Sequence, residues 1–241
     1  MISFGRPTIL LYGGSGIGKT SAVIQALRPQ STYWITTERG ALIPATDPSI
    51  NHWGAIPAQC ECLSTDDPFR ELDQAVKSTC ALVRAGKYAA IVIDTLSSWA
   101  EREYLKIATV ERVPESYGRA NRTLRNRLLP LVNRCLEAGA ILVTICHEKD
   151  PQTIEGRSRP GGPKLPGDLL ETIPSLFDQV IRIGVESDLQ NGAVRVARVN
   201  ELDRSWVTKD RYGVIKRPSE PLDLRAFITR AIERSSSFRS E

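Results

Sequence analysis

One stretch of the chain combines residue type and spacing into a recognisable chemistry: Gly13-Gly14-Ser15-Gly16-Ile17-Gly18-Lys19-Thr20. It matches G-x-x-x-x-G-K-[ST], the phosphate-binding P-loop. Glycines let the backbone curl so that several N–H groups point inward at an anion. A helix starting at the end of the loop adds the positive end of its dipole. Lys19 is placed to reach β- and γ-phosphates as a point charge, and the Thr20 hydroxyl to ligate Mg²⁺.

The motif has meaning only between a strand and a helix. Ile9-Leu10-Leu11-Tyr12 before it reads as a buried strand, and Ser21 to Leu27 after it reads as a helix. Three further residues stand at strand ends, where open α/β sheets place their ligands. Asp94 closes the apolar run Ala89-Ala90-Ile91-Val92-Ile93, the Walker B pattern of an acid held near Mg²⁺. Glu38 ends the β-forming run Thr32 to Thr37 and is a candidate to orient or deprotonate attacking water; a surface acid paired to Arg39 is the plainer alternative. His147 ends the run Ala140 to Cys146. Its imidazole is placed to sense a γ-phosphate and couple it to the segment behind, although a lone histidine is more often a polar neighbour.

At 241 residues, 41% of them apolar, the chain suits one α/β domain with a normal core. A net charge of +4 permits nucleic-acid binding without demanding it. The odd set Cys60, Cys62, Cys80, Cys135 and Cys146, mostly in apolar runs, suits reduced thiols in a cytosol. No secretory signal is evident and no apolar run reaches transmembrane length, so a cytoplasmic location is expected.

Along the chain, residues 41–55 read as a loop and Ile56 to Leu63 as a weak strand. Thr65-Asp66-Asp67-Pro68 opens a helix on which Leu72, Val76, Thr79 and Val83 share a face, with Gly86 as its stop. A helix from Ser97 to about Ala108 is followed by a break over 109–118. A second helix, Arg119 to Leu136, has Pro130 as a kink. Arg119, Arg122, Arg125, Arg127 and Arg134 occupy its non-apolar side with no acid among them. Residues 148–167 carry four prolines and four glycines and read as one long loop, hence functional or mobile. A short helix over Asp168 to Ile173 comes next. Gln179 to Val185 and Ala193 to Asn200 then alternate as strands about an Asn191-Gly192 turn, and Leu222 to Ile232 forms a last helix. The expected organisation is one domain over 1–233 with a flexible tail over 234–241.

Taken together, these residues resemble the RecA-core ATPases. Thr32 to Glu38 looks like the strand ending in that family's catalytic glutamate. Ile91-Val92-Ile93-Asp94-Thr95 looks like its Walker B, and Ile141 to His147 like the strand ending in its phosphate sensor, with histidine in place of glutamine. Residues 148–167 and 109–118 fall where RecA carries its second and first DNA-binding loops. Lys209-Asp210-Arg211 with Gly213 resembles the K-x-R motif of DnaB-type helicases and KaiC, whose cations reach a neighbouring subunit's γ-phosphate; spacing alone reads as a charged strand end or turn. The closest likeness is to phage single-strand annealing proteins of the Sak-four group, carried by H-E-K, L-P-G-D-L, F-D-Q-V and W-V-T-K-D-R.

The resemblance implies a RecA-like fold with a mostly parallel sheet flanked by helices and antiparallel strands near the C-terminal end. It implies ATP and Mg²⁺ as ligands, catalytic roles for Lys19, Glu38, His147, Lys209 and Arg211, and Thr20 and Asp94 at the metal. The expected partners are single-stranded DNA, further copies of the chain in a ring or filament with shared ATP sites, and a single-strand-binding protein. Two alternatives stay open: a replicative helicase or helicase-loader ATPase, and a KaiC-like nucleotide switch that binds a protein.

Overall fold

The computed structural model describes residues 6–28, 31–36, 60–62, 68–111, 115–154, 156–166, 169–188, 192–199 and 205–237. Its centre is built from the continuous apolar runs, which can only be satisfied with both sheet faces covered. These are β1 (Thr8–Gly13), β4 (Ala90–Asp94) and β5 (Ile141–Lys149). Around them stand β2 (Thr32–Thr36), β3 (Cys60–Cys62), β9 (Gln179–Asp188), β10 (Gly192–Arg198) and β12 (Ser219–Pro221).

The strands run in the order β12-β10-β9-β1-β5-β4-β2-β3. Pairing is parallel from β3 through to β9, and antiparallel between β9 and β10 and between β10 and β12. This is the expected α/β architecture: a mostly parallel sheet with antiparallel strands late in the chain. Because β1, β4 and β5 are parallel neighbours, their carboxyl ends emerge on one edge. The register fixes their heights, with Gly13 level with His147, and both Asp94 and Thr36 level with Ile145.

Side chains alternate between the two faces. Leu10, Tyr12, Ile91, Ile93, Leu142, Cys146 and Val180 pack beneath α2 (Pro68–Arg84), α3 (Leu96–Glu111) and α4 (Glu115–Glu137). Ile9, Leu11, Val92, Val143, Ile145, Ile181 and Ile183 pack beneath α1 (Lys19–Ala26) and α6 (Leu224–Ser237). The α2 face is the expected one, with Leu72, Val76, Thr79 and Val83 buried. No helix among the described residues is long and apolar enough to cross a membrane.

Several expectations are corrected. The break over 109–118 is narrower: α3 continues to Glu111 and α4 begins at Glu115, so only 112–114 lie outside the described residues. The last helix runs through residues 234–237, where the sequence predicts a flexible tail; Arg234 donates to the Tyr212 and Gly213 carbonyls, and Ser235 is buried.

The largest correction concerns 148–167. Strand β5 continues to Lys149, β6 (Gln152–Ile154) pairs with β7 (Arg157–Arg159) as a hairpin, and β8 (Gly162–Pro163) returns to pair with Glu148 and Lys149. Two of its glycines, Gly161 and Gly162, serve close packing. A Cβ on Gly161 would lie 2.5 Å from the Trp206 ring, and one on Gly162 would lie 2.6 Å from Leu170. Gly161 and Val207 exchange backbone hydrogen bonds with this neighbourhood, the Gly161 N–H donating to Ser205 O and the Val207 N–H to Gly161 O.

Candidate nucleotide-binding site

The loop after β1 has the curl that its glycines permit. Gly16 and Gly18 stand at φ of 72° and 91°, in the left-handed region that side chains disfavour. Helix α1 starts at once, with the Ala22 N–H donating to Gly18 O at 2.9 Å. Lys19 is 7% exposed, and its Nζ donates to Gly13 O at 2.9 Å and to Gly14 O at 2.8 Å. The ammonium is therefore folded into the loop that carries it.

Thr20 projects from the first turn of α1 towards the adjacent carboxyl ends. Its Oγ1 donates to Asp94 Oδ2 at 2.9 Å, and Asp94 is 3% exposed. A hydroxyl and a carboxylate oxygen in contact are hard ligands of the kind Mg²⁺ takes. The curled loop, buried ammonium and Thr20–Asp94 pair together fit Mg·ATP: loop amides and Lys19 would hold the phosphates, Thr20 and Asp94 the cation. When bound, the cation would neutralise charge on the β- and γ-phosphate oxygens.

Beyond Asp94 the chain turns into α3. The Asp94–Thr95 peptide is cis. Thr95 caps α3, accepting the Ser98 N–H at 3.3 Å. Buried Ser97 ties this helix start to the end of β5, its Oγ accepting the His147 N–H at 3.0 Å. His147, level with Gly13, is thus beside the loop and held by the same helix start as Asp94. Cys146 is fully buried between them; burial pushes its thiol up to about 12, against the opposing effects of Ser97 and Lys19.

One residue further, Glu148 pairs with Arg182 of β9 at 2.9 Å, and the Arg182 guanidinium stacks 3.3 Å from the Trp206 ring centre. Neither Arg182 nor Ser97 was expected at the site. Both are ordinary polar residues in their local sequence, and only the pairing of distant strands and helix ends brings them here. Arg195 of β10 was also missed. Its Nη1 is 3.5 Å from Gly18 O, and a Cβ on Gly18 would lie 2.3 Å from that nitrogen.

The structure brings together Lys19, Thr20, Asp94 and His147. The described part of β2 stops at Thr36, level with Asp94, and Glu38 lies outside the described residues. Lys209 and Arg211 stand elsewhere. The short strand β11 (Lys209–Asp210) pairs with Val180 and Gln179, at the beginning of β9. Val180 is level with Leu10, three residues before Gly13, which is ~10 Å along the strand. Lys209 Nζ donates to Phe177 O at 2.6 Å and Ser175 O at 3.2 Å, while Arg211 pairs with Asp178 at 2.7 Å. Burial, with the Arg211 charge beside it, lowers the Lys209 pKa, and Asp178 opposes the shift. Neither cation is near the loop of its own chain.

A strand–loop–helix of this geometry, with its acid two strands away across β5, defines a P-loop nucleoside triphosphatase fold. The AAA domain family model matches residues 6–212, and the chain belongs to that family. It is therefore an ATPase domain of the AAA type. A comparison with curated proteins finds no match.

Proposed function

We propose that this ATPase binds Mg·ATP and single-stranded DNA and acts in phage DNA recombination as a relative of the Sak-four annealing proteins, in oligomers with shared ATP sites. Glu38 would orient the attacking water. His147 would report the phosphate state to residues 148–167, through the backbone that continues β5 into that segment. Lys209 and Arg211 would stabilise developing charge at a neighbouring subunit's site.

The observation that carries the DNA part is the division of the arginines on α4. Arg127 pairs with buried Glu103 and stacks on Phe69, and Arg134 pairs with Asp73. These two hold α4 to its neighbouring helices. Arg122 and Arg125 are exposed and stand at a spacing that puts them on one side of the helix. A row of exposed guanidinium groups matches a phosphate backbone, with Arg159 and Lys164 adding exposed cations on the β6–β8 segment.

The test is fluorescence titration of a labelled oligo(dT) over a range of salt. Replacing Arg122 and Arg125 with Ala together is expected to weaken binding and to flatten the salt dependence by about 0.7 per lost contact. Neutralising Arg157, Arg159 and Lys164 together is expected to do likewise if those residues also meet the strand. Unchanged affinity and slope in both variants would remove DNA from the reading and leave a nucleotide switch that binds a protein. Strand displacement by the purified protein would instead point to a helicase.

A further inference from the structure

The Glu148–Arg182 pair stands at the edge of the sheet from which the glycine loop departs. We propose that Arg182 is a positioning residue of the ATPase: with Glu148 and Trp206 it fixes the carboxyl end of β5, and therefore His147, at a set height and distance from the loop. This rests on the reading of His147 as the residue that meets the phosphates.

Register is the first argument. Strands β5 and β9 flank β1, and Arg182 is level with Tyr12, the residue before Gly13. Glu148 follows His147, which is level with Gly13. By alternation, Arg182 and Glu148 face the same side as Tyr12 and Cys146. Strands two places apart lie about 10 Å from each other. The pair therefore bridges the flanking strands across the end of β1, where the loop begins, and two long side chains are needed to reach that far.

The chemistry of the pair is the second. Arg182 Nε donates to Glu148 Oε2 at 2.9 Å and Nη2 to Oε1 at 3.4 Å, so one planar fork engages both carboxylate oxygens. The side chains are 14% and 16% exposed. At that burial the cost of desolvating two charges offsets much of their attraction, and an apolar pair of similar volume would hold the strands as well. What the fork adds is a defined distance and angle between β5 and β9. Trp206 fixes the fork in turn, with the guanidinium carbon 3.3 Å from the centre of its ring. The ring packs on Gly161, and the neighbouring Val207 carbonyl accepts the Tyr12 hydroxyl at 2.9 Å.

The backbone of His147 is the third. Its N–H donates to Ser97 Oγ at 3.0 Å, and its carbonyl accepts the Lys164 N–H at 2.7 Å. Those bonds hold the residue towards α3 and β8, while Glu148 draws the next position towards β9. Catalytic geometry tolerates errors of only about 0.5 Å. Loss of one anchor is therefore felt in turnover, while the loop that holds the phosphates keeps its own bonds.

Phosphate release and equilibrium ATP binding, measured on the full chain, test the assignment. Arg182→Gln is expected to lower kcat about tenfold or more and to leave ATP affinity within about twofold of wild type. Glu148→Gln, which keeps the side-chain shape, is expected to do the same. Trp206→Phe, which retains a flat face for the guanidinium, is expected to keep most of the turnover that Trp206→Leu loses. A merely structural tie would lower the melting temperatures and leave kcat of the folded variants unchanged, and that result overturns the assignment.

His147→Ala separates the assignment from the reading on which it rests. It is expected to lower kcat, and Arg182→Gln added to it is expected to cost nothing further, because both changes act at one point. Turnover lowered by His147→Ala and untouched by Arg182→Gln overturns the positioning role alone. Normal turnover in His147→Ala overturns the reading of His147, and the assignment with it. Losses that multiply in the double variant put the effect of Arg182 elsewhere and contradict the proposal.

Discussion

Thr20 Oγ1 donates to Asp94 Oδ2 at 2.9 Å, joining residues 74 apart in the chain. The bond sets the first turn of α1 against the end of β4, and it brings together the two oxygens that a hard cation would take. Asp94 is 3% exposed, so its carboxylate is directed at this point and not at bulk water.

The pair should therefore govern metal dependence. Thr20→Val keeps the side-chain volume and removes the hydroxyl. Titrating Mg²⁺ against nucleotide binding should show the requirement rise about tenfold or more, with metal-free binding little changed. Asp94→Asn should shift the same curve. An unaltered Mg²⁺ requirement in both variants would make the pair a helix–strand tie only.

For Glu38 the expectation comes from its place after β2, whose last described residue is level with Asp94. Glu38→Gln should bind Mg·ATP and fail to hydrolyse it, because an amide cannot serve as a base. Equilibrium binding beside phosphate release checks both halves. Normal release would return Glu38 to a structural role.

Arg211 presents two separable roles. Its pairing with Asp178, which also accepts the N–H and Oγ1 of Thr8, holds the start of β1 and β9 together. Arg211→Ala should therefore cost a little stability in urea unfolding whatever else it does. If it also acts across a subunit interface, the variant should bind ATP and hydrolyse it slowly, by roughly 10³-fold for a cation of this kind. Mixing it with Lys19→Ala should then restore part of the activity, since one subunit supplies an intact loop and another an intact Arg211. Co-assembly without recovery would leave Arg211 with its structural role alone.

The Cys146 thiol gives a pH signature. Burial raises its pKa from 9.0 to about 12, so the folded chain keeps the proton over a range in which the unfolded chain loses it. Stability should accordingly fall as pH rises from about 9 towards 12, and Cys146→Ala should flatten that part of the curve. At pH 8 the group is a buried thiol, and iodoacetamide should leave it unmodified until the protein unfolds. Rapid labelling of native protein at Cys146 would show that the region beside Lys19 opens freely.

What was legible in the sequence follows from the range of the forces involved. Gly13 to Thr20 could be read because a phosphate cradle needs its glycines, lysine and hydroxyl side by side in the chain. Asp94 could be read because a buried parallel strand ending in an acid is a local pattern. The apolar faces of α2 and α4 were equally plain. By contrast, the glycines and prolines over 148–167 suggested a structureless loop, while Gly161 and Gly162 are small because Trp206 and Leu170 pack onto them from later in the chain. Arg127 and Arg134 looked like open surface cations because Glu103 and Asp73 come from other helices. Arg195 looked like any outward residue of an alternating strand, and only the β9–β10 register carries it to Gly18.

The central claim is that the curled loop, Lys19 and the Thr20–Asp94 pair form a working ATP site. The most direct measurement is phosphate release from Mg·ATP by wild-type protein and by Lys19→Ala at matched thermal stability, with calorimetric ATP binding alongside. Wild-type protein should bind and turn over ATP, and the folded variant should lose turnover to background. Turnover by Lys19→Ala near that of the wild type would contradict the assignment of the site.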